Sequence, residues 1–305
     1  MANFHMNDRS HLKAYLLLVA TTLCWGLNAI FSKLAVDQIT PMQLVTFRWL
    51  GVVILLSLFA RNTLQRDWPL LRQHLPFLCL MGGCGFTAFN ALFYVAGHHT
   101  SAINIGILQG SIPIFVLLGS WLVMRHRISR LQAAGVGLTL IGVIIVASGG
   151  KPGELLDLAV NRGDLFMLVA CFFYAAYSVG LSRRPSVSAL SLFAVMAAVA
   201  WLVSLPLVMI ETWLLGWHWP STNGWIIAGL VTLLPSLVAQ IFFIQGVGLI
   251  GPGRAGVFVN LVPVFASVMA ILFLGEIFEQ HHALALLLVL GGIGLSEIGR
   301  IRTPQ

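Results

Sequence analysis

The residues of this chain best equipped to touch a solute are neutral amides and aromatic rings set deep inside apolar stretches. Trp25 and Tyr174 lie 149 positions apart, each about 16–18 Å along a long apolar segment. An indole or phenol at that depth carries a polar atom that needs a partner, so both rings are expected to face a bundle interior rather than lipid. Asn28 stands within a turn of Trp25, and Tyr177 and Ser178 within a turn of Tyr174. Asn90 and Gln240 form a second pair, 150 positions apart. Phe89 and Tyr94 accompany the first, Phe243 and Gln245 the second, and the two groups are expected at opposite depths, as paired gates would be. Gln109, Ser111 and Asn260 adjoin Pro113 and Pro263, again 150 positions apart and near the middle of their segments. Proline lacks an N–H and crowds the carbonyl four residues earlier, so helix kinks that free the carbonyls of Gln109 and Val259 are expected. Packing and helix–helix hydrogen bonding would account for each pair about as simply.

Arg48 is the exceptional charge, about 10 Å inside its apolar segment. Snorkelling or pairing with a helix C-terminus is the simpler expectation, and contact with a substrate carboxylate is the functional one. All ten Asp and Glu lie in connections or at segment ends. A proton-coupled carrier usually needs a carboxylate buried in the membrane. Movement of a solute down its own gradient is therefore expected over proton coupling, and a zwitterionic or uncharged solute over a bulky cation. His98-His99 and His281-His282 fit solvated loop pairs better than a metal site. HExxH and GxSxG are absent, and Gly251-Pro252-Gly253-Arg254-Ala255-Gly256 lacks the Lys and Ser/Thr of a phosphate loop. No catalytic residue, metal or cofactor is expected.

Elements able to hold these side chains follow from composition. The chain is 58% hydrophobic and 9% charged over 305 residues, with mean hydropathy +0.93. That excludes a soluble globular domain, and long apolar runs exclude a membrane β-barrel. About 20 apolar residues cross a bilayer as a helix. Ten such spans are expected, over 14–35, 41–60, 75–97, 101–123, 131–148, 163–182, 187–210, 225–248, 253–275 and 282–299. Cys24, Cys79, Cys84 and Cys171 all fall inside them and fit as small hydrophobes. Trp213, Trp217, Trp219 and Trp225 cluster at one membrane interface, where an aromatic belt is expected.

Sliding residues 93–148 onto 243–298 gives nine identities in 56 positions, including Phe93/Phe243, Gly106/Gly256, Pro113/Pro263 and Gly142/Gly292. Residues 1–150 and 151–305 are thus expected to be two five-span repeats. Five is odd, so the second must enter the membrane from the opposite side. With both termini in the cytoplasm, thirteen Lys and Arg fall inside and four outside, as the positive-inside rule requires. The net charge of +7 is then a topology signal rather than a nucleic-acid footprint. The corner 125–130, RHRISR, is basic, whereas its counterpart 275–280, GEIFEQ, is acidic. Inverted repeats of this kind place a substrate site where they meet and support alternating access.

Trp25-Gly26-Leu27-Asn28, Pro41 with Phe47-Arg48-Trp49, Gly163-Asp164-Leu165 and Gly275-Glu276 resemble motifs of the drug/metabolite transporter (DMT) superfamily, in its ten-helix EamA-type branch. The resemblance covers essentially the whole chain, and its overall pattern is similar to the YddG-type amino-acid exporters. It implies an all-α polytopic fold with a central cavity and an inner-membrane exporter of small amino acids or related metabolites. Trp25, Asn28, Asn90, Tyr94, Gln109, Tyr174, Tyr177, Gln240 and Asn260 would line the pathway. The partners would be a small solute and the lipid bilayer, with a monomer as the simplest assembly. A proton-coupled multidrug or other-metabolite exporter and a channel-like pore are the alternatives. His126 stands where the family has Glu, while Glu276 keeps that residue in the second repeat. The Arg48 match favours a general role in the fold.

Overall fold

The computed structural model describes residues 8–124, 128–151 and 161–302. His126 and its neighbours Arg125 and Arg127 lie outside them. Among the described residues there are helices and no strands, and ten helical spans are long and apolar enough to cross a membrane. Spans 1 to 5 run over His11–Leu34, Pro41–Phe59, Arg61–Gly97, Ala102–Val123 and Arg130–Ala147. Spans 6 to 10 run over Arg162–Arg183, Ala189–Leu215, Thr222–Ile250, Arg254–Leu274 and Gln280–Gly299. The expected spans are all present. Span 3 is longer because Arg61–Leu71 is already helical, and span 7 continues to Leu215 through Pro206.

Seven of the ten starts carry a local signal. Thr40 and Gln43 form a capping box ahead of span 2, and Ser129 and Gln132 form one ahead of span 5. Ser101, Asn161, Ser188 and Ser221 cap spans 4, 6, 7 and 8 through their side-chain oxygens. Gly251, at φ 83°, makes the turn between spans 8 and 9, a conformation that side chains disfavour. Large apolar side chains such as Leu58, Leu272 and Leu287 point outward, as lipid-facing residues do.

Spans 5 and 10 pack tightly against each other. A Cβ at Gly142 would sit 2.8 Å from the Ala285 carbonyl oxygen, and one at Gly292 would sit 2.5 Å from that of Gly135. Shifted by 150 positions, the first contact becomes the second. A residue i touching j+150 while i+150 touches j is the signature of a two-fold relation. The two halves thus meet here across a pseudo-two-fold axis, and each half has five spans.

Candidate functional site

Spans 5 and 10 take no part in the wall of the central cavity. The remaining eight enclose a space of about 840 Å³, counted out to its open end. The pseudo-two-fold runs through it. Seven residues of the first half line it together with the residue 150 positions later. The pairs are Gly85/Pro235, Phe86/Ser236, Asn90/Gln240, Gln109/Val259, Gly110/Asn260, Ile112/Val262 and Pro113/Pro263. Trp25, Asn28, Arg48, Trp49, Phe89, Tyr174 and Phe193 complete the lining.

Backbone breaks bring these residues to the wall. Span 4 is interrupted between Gln109 and Ile112, and span 9 passes through a 3₁₀ turn at Val259–Leu261. Each interruption falls just before one of the two prolines named above, Pro113 and Pro263. Spans 3 and 8 each contain a π-helical turn, at Gly83–Ala88 and Thr232–Val238. Such turns widen the helix and leave carbonyls without their usual partners. Side chains of the wall take two of them. Trp25 Nε1–H donates to the Pro235 carbonyl at 3.2 Å, and Asn90 Nδ2–H donates to that of Phe86.

Arg48 does not snorkel. Its side chain is 5% exposed, and Nη1 donates to Asn90 Oδ1 and to the Tyr94 hydroxyl oxygen. Tyr94 in turn donates to Asn28 Oδ1 at 3.0 Å. Stem length explains the difference from expectation. From about 10 Å inside span 2 the side chain meets spans 1 and 3 before it meets water. The helix C-terminus is served instead by Lys33, whose Nζ donates to the carbonyls of Gly97 at 2.8 Å and Thr100 at 2.9 Å.

Most of the expected pathway residues reach the cavity, with two exceptions. Tyr94 lies beneath Arg48, and Tyr177 packs behind Phe86 and Tyr174, filling the space over Gly85. Asn90 and Gln240 line one cavity rather than two gates, because the π turns rotate both toward the axis. Gln245 is exposed on the far side of span 8. Phe89 lines the cavity beside Asn90, the residue it was expected to accompany, whereas Trp49, Phe86 and Phe193 were not foreseen, since an aromatic residue in an apolar run carries no sign of which way it faces. The π turn at Pro235 had a signal in its proline.

The cavity is closed at one end. With ten spans, the described ends at residues 8 and 302 lie on one face of the bundle, here termed the terminal face, and the connections after odd-numbered spans lie on the far face. In the far half, a Cβ at Gly106 would sit 2.5 Å from Ala266 Cβ, so spans 4 and 9 touch. The repeat-related site in the terminal half is Gly256, where a Cβ would find no atom within 4 Å. Hydrogen bonds between the halves reinforce the far closure. Glu276 accepts from the backbone N–H of Ala102 at 2.8 Å and Ile103 at 3.0 Å, at the N-terminus of span 4. Glu211 accepts from Thr40 Oγ1 and Met42 N at the start of span 2, and Asp164 accepts from Thr100 and Asn104. A carboxylate at a helix N-terminus meets free N–H groups and the positive end of the helix dipole. His281 and His282, also at this face, pair locally with Glu279.

Ten spans in two five-span halves, joined by a pseudo-two-fold around a cavity closed at one end, define a membrane carrier built from repeats. The chain belongs to the EamA-like transporter family, whose profile matches residues 12–148 and again residues 161–297. It is 24% identical to "Uncharacterized transporter YyaM" of Bacillus subtilis (strain 168), over 97% of this chain and 96% of that one. It is 25% identical to "Uncharacterized inner membrane transporter YedA" of Escherichia coli (strain K12), over 98% and 95%. It is also 25% identical to a "Probable amino-acid metabolite efflux pump" of Salmonella typhimurium (strain LT2), over 94% and 95%. One solved crystal structure matches with a TM-score of 0.59 at 18% identity, covering 98% of this chain and all of that one, which extends the likeness to fold alone. The protein is thus an integral membrane transporter.

Proposed function

We propose that the protein exports small amino acids or related metabolites across the bacterial inner membrane by alternating access, with both termini in the cytoplasm. The two halves, 1–150 and 151–305, would rock about the cavity between them. The observation that carries this is the unequal packing of repeat-related positions. Gly106 is closed onto Ala266 while Gly256 is open, and exchanging those two packings would open the other side. The charge bias makes the terminal face cytoplasmic, so the present state would load from the cytoplasm. The Salmonella relative's name supports efflux of amino-acid metabolites. Gradient-driven movement fits the absence of Asp and Glu from span centres.

The pathway would run past Trp25, Asn28, Asn90, Gln109, Tyr174, Gln240 and Asn260, with Pro113 and Pro263 permitting bending. Tyr94 and Tyr177 would support that wall from behind. Flux of a labelled amino-acid panel through proteoliposomes tests the amino-acid claim, and no flux for any member rejects that claim. Trp25→Ala and Tyr174→Ala are each expected to lower flux about tenfold or to change solute preference. Unchanged flux and preference in both would remove these two residues from the pathway.

A further inference from the structure

Arg48 carries the single formal charge among the described residues that line the cavity, and no acid is among them. A buried cation ordinarily comes with a counter-ion. Here Nη1 has two neutral partners, while Nε–H has none. The neighbouring Trp49 ring lies 5.1 Å from the guanidinium carbon, and its own Nε1–H also lacks a partner. Two buried donors without acceptors, on adjacent residues that both line the cavity, are an unusual expense in a native protein. They describe half of an anion site. Around them the wall is aromatic, with Trp25, Phe86, Phe89, Tyr174 and Phe193.

We propose that the cavity selects organic monoanions, with one carboxylate docked on Arg48 and Trp49 and an aromatic or apolar body against the rings. This rests on the exporter reading and narrows its solute to the deaminated or N-blocked relatives of amino acids. A free ammonium group would find only neutral amides and rings, and a cationic solute would face Arg48 directly. A planar carboxylate matches the fork geometry of a guanidinium, and the charge it brings makes the loaded site neutral. Each cycle then moves one negative charge outward. The inside-negative membrane potential drives that movement, and each roughly 59 mV multiplies the equilibrium gradient of a monoanion tenfold. No proton-carrying carboxylate is needed, and the spans have none at their centres.

The test uses the full chain in proteoliposomes with potentials set by potassium and valinomycin. Three solutes share one ring: phenylpyruvate as the anion, phenylalanine as the zwitterion and phenylalanine amide as the cation. Phenylpyruvate is expected to move at least tenfold faster than the others and to accelerate when the potential drives anions. Arg48→Gln should abolish that preference. Because this variant can fail to fold, Asn90→Asp serves beside it, setting a carboxylate on the guanidinium and lowering phenylpyruvate flux at least tenfold. Phenylpyruvate flux that ignores the potential, or an undiminished anion preference in Asn90→Asp, would overturn the proposal. Transport of phenylalanine alone would overturn it and leave the exporter standing, whereas no transport of any solute by the folded protein would reject both.

Discussion

Arg48 holds its position because span 3 supplies it with two oxygens and span 1 braces one of them. Asn90 and Tyr94 come from span 3, and Asn28 holds Tyr94 from span 1. Each of these residues stood out in the sequence as polar and deep. Their meeting did not, because it depends on where helices cross rather than on spacing within any of them. The indole of Trp49 presents the opposite case, a donor with no acceptor. Removing a partner from a charged buried group costs about 1.5–3 kcal/mol, whereas removing an unpaired donor costs little. Tyr94→Phe is therefore expected to lower thermal stability in detergent by an amount in that range. Trp49→Phe breaks no hydrogen bond and should cost less, only the packing of the lost part of an indole buried against Phe86. Equal losses in the two variants would contradict the assigned hydrogen bonds.

Elements were legible in proportion to how local their cause is. Ten apolar runs and the breaks before Pro113 and Pro263 follow from short stretches of sequence. The π turn at Gly83–Ala88 contains no proline and gave no sign, although its counterpart holds Pro235. Glu276, expected as a family-motif acid in a connection, caps a helix 174 positions away. The glycines of spans 5 and 10 were visible as small residues without a stated partner. Their packing now separates two adjacent positions. Gly292→Ala would drive a methyl into the Gly135 carbonyl, where overpacking costs about 1–3 kcal/mol. Gly291→Ala meets no atom within 4 Å and gains helix propensity, so its stability should hold or rise. Thermal unfolding of the two variants in one detergent distinguishes them, and a loss in Gly291→Ala equal to that in Gly292→Ala would contradict this interface.

At the scale of the molecule, the repeat describes both the observed state and the one it implies. The pseudo-two-fold maps the Gly106–Ala266 contact of the far half onto Gly256 and Val116 in the terminal half. The first is made and the second is open, so the molecule departs from its own symmetry along spans 4 and 9. Exchanging the two contacts gives a cavity open to the far face without any new type of packing. Cysteine pairs can report that exchange once Cys24, Cys79, Cys84 and Cys171 are replaced. Gly106→Cys with Ala266→Cys would set Cβ atoms 2.5 Å apart, so spans 4 and 9 need to part only by about 1 Å to reach the 3.8 Å or so that a disulfide spans. This pair is expected to cross-link rapidly at rest under a mild oxidant, halting transport until reduced. Val116→Cys with Gly256→Cys should cross-link slowly at rest and faster during turnover, trapping the cavity open to the far face. If the second pair never forms while transport proceeds, spans 4 and 9 do not close in the terminal half, and the exchange of repeat-related contacts is not how this carrier alternates.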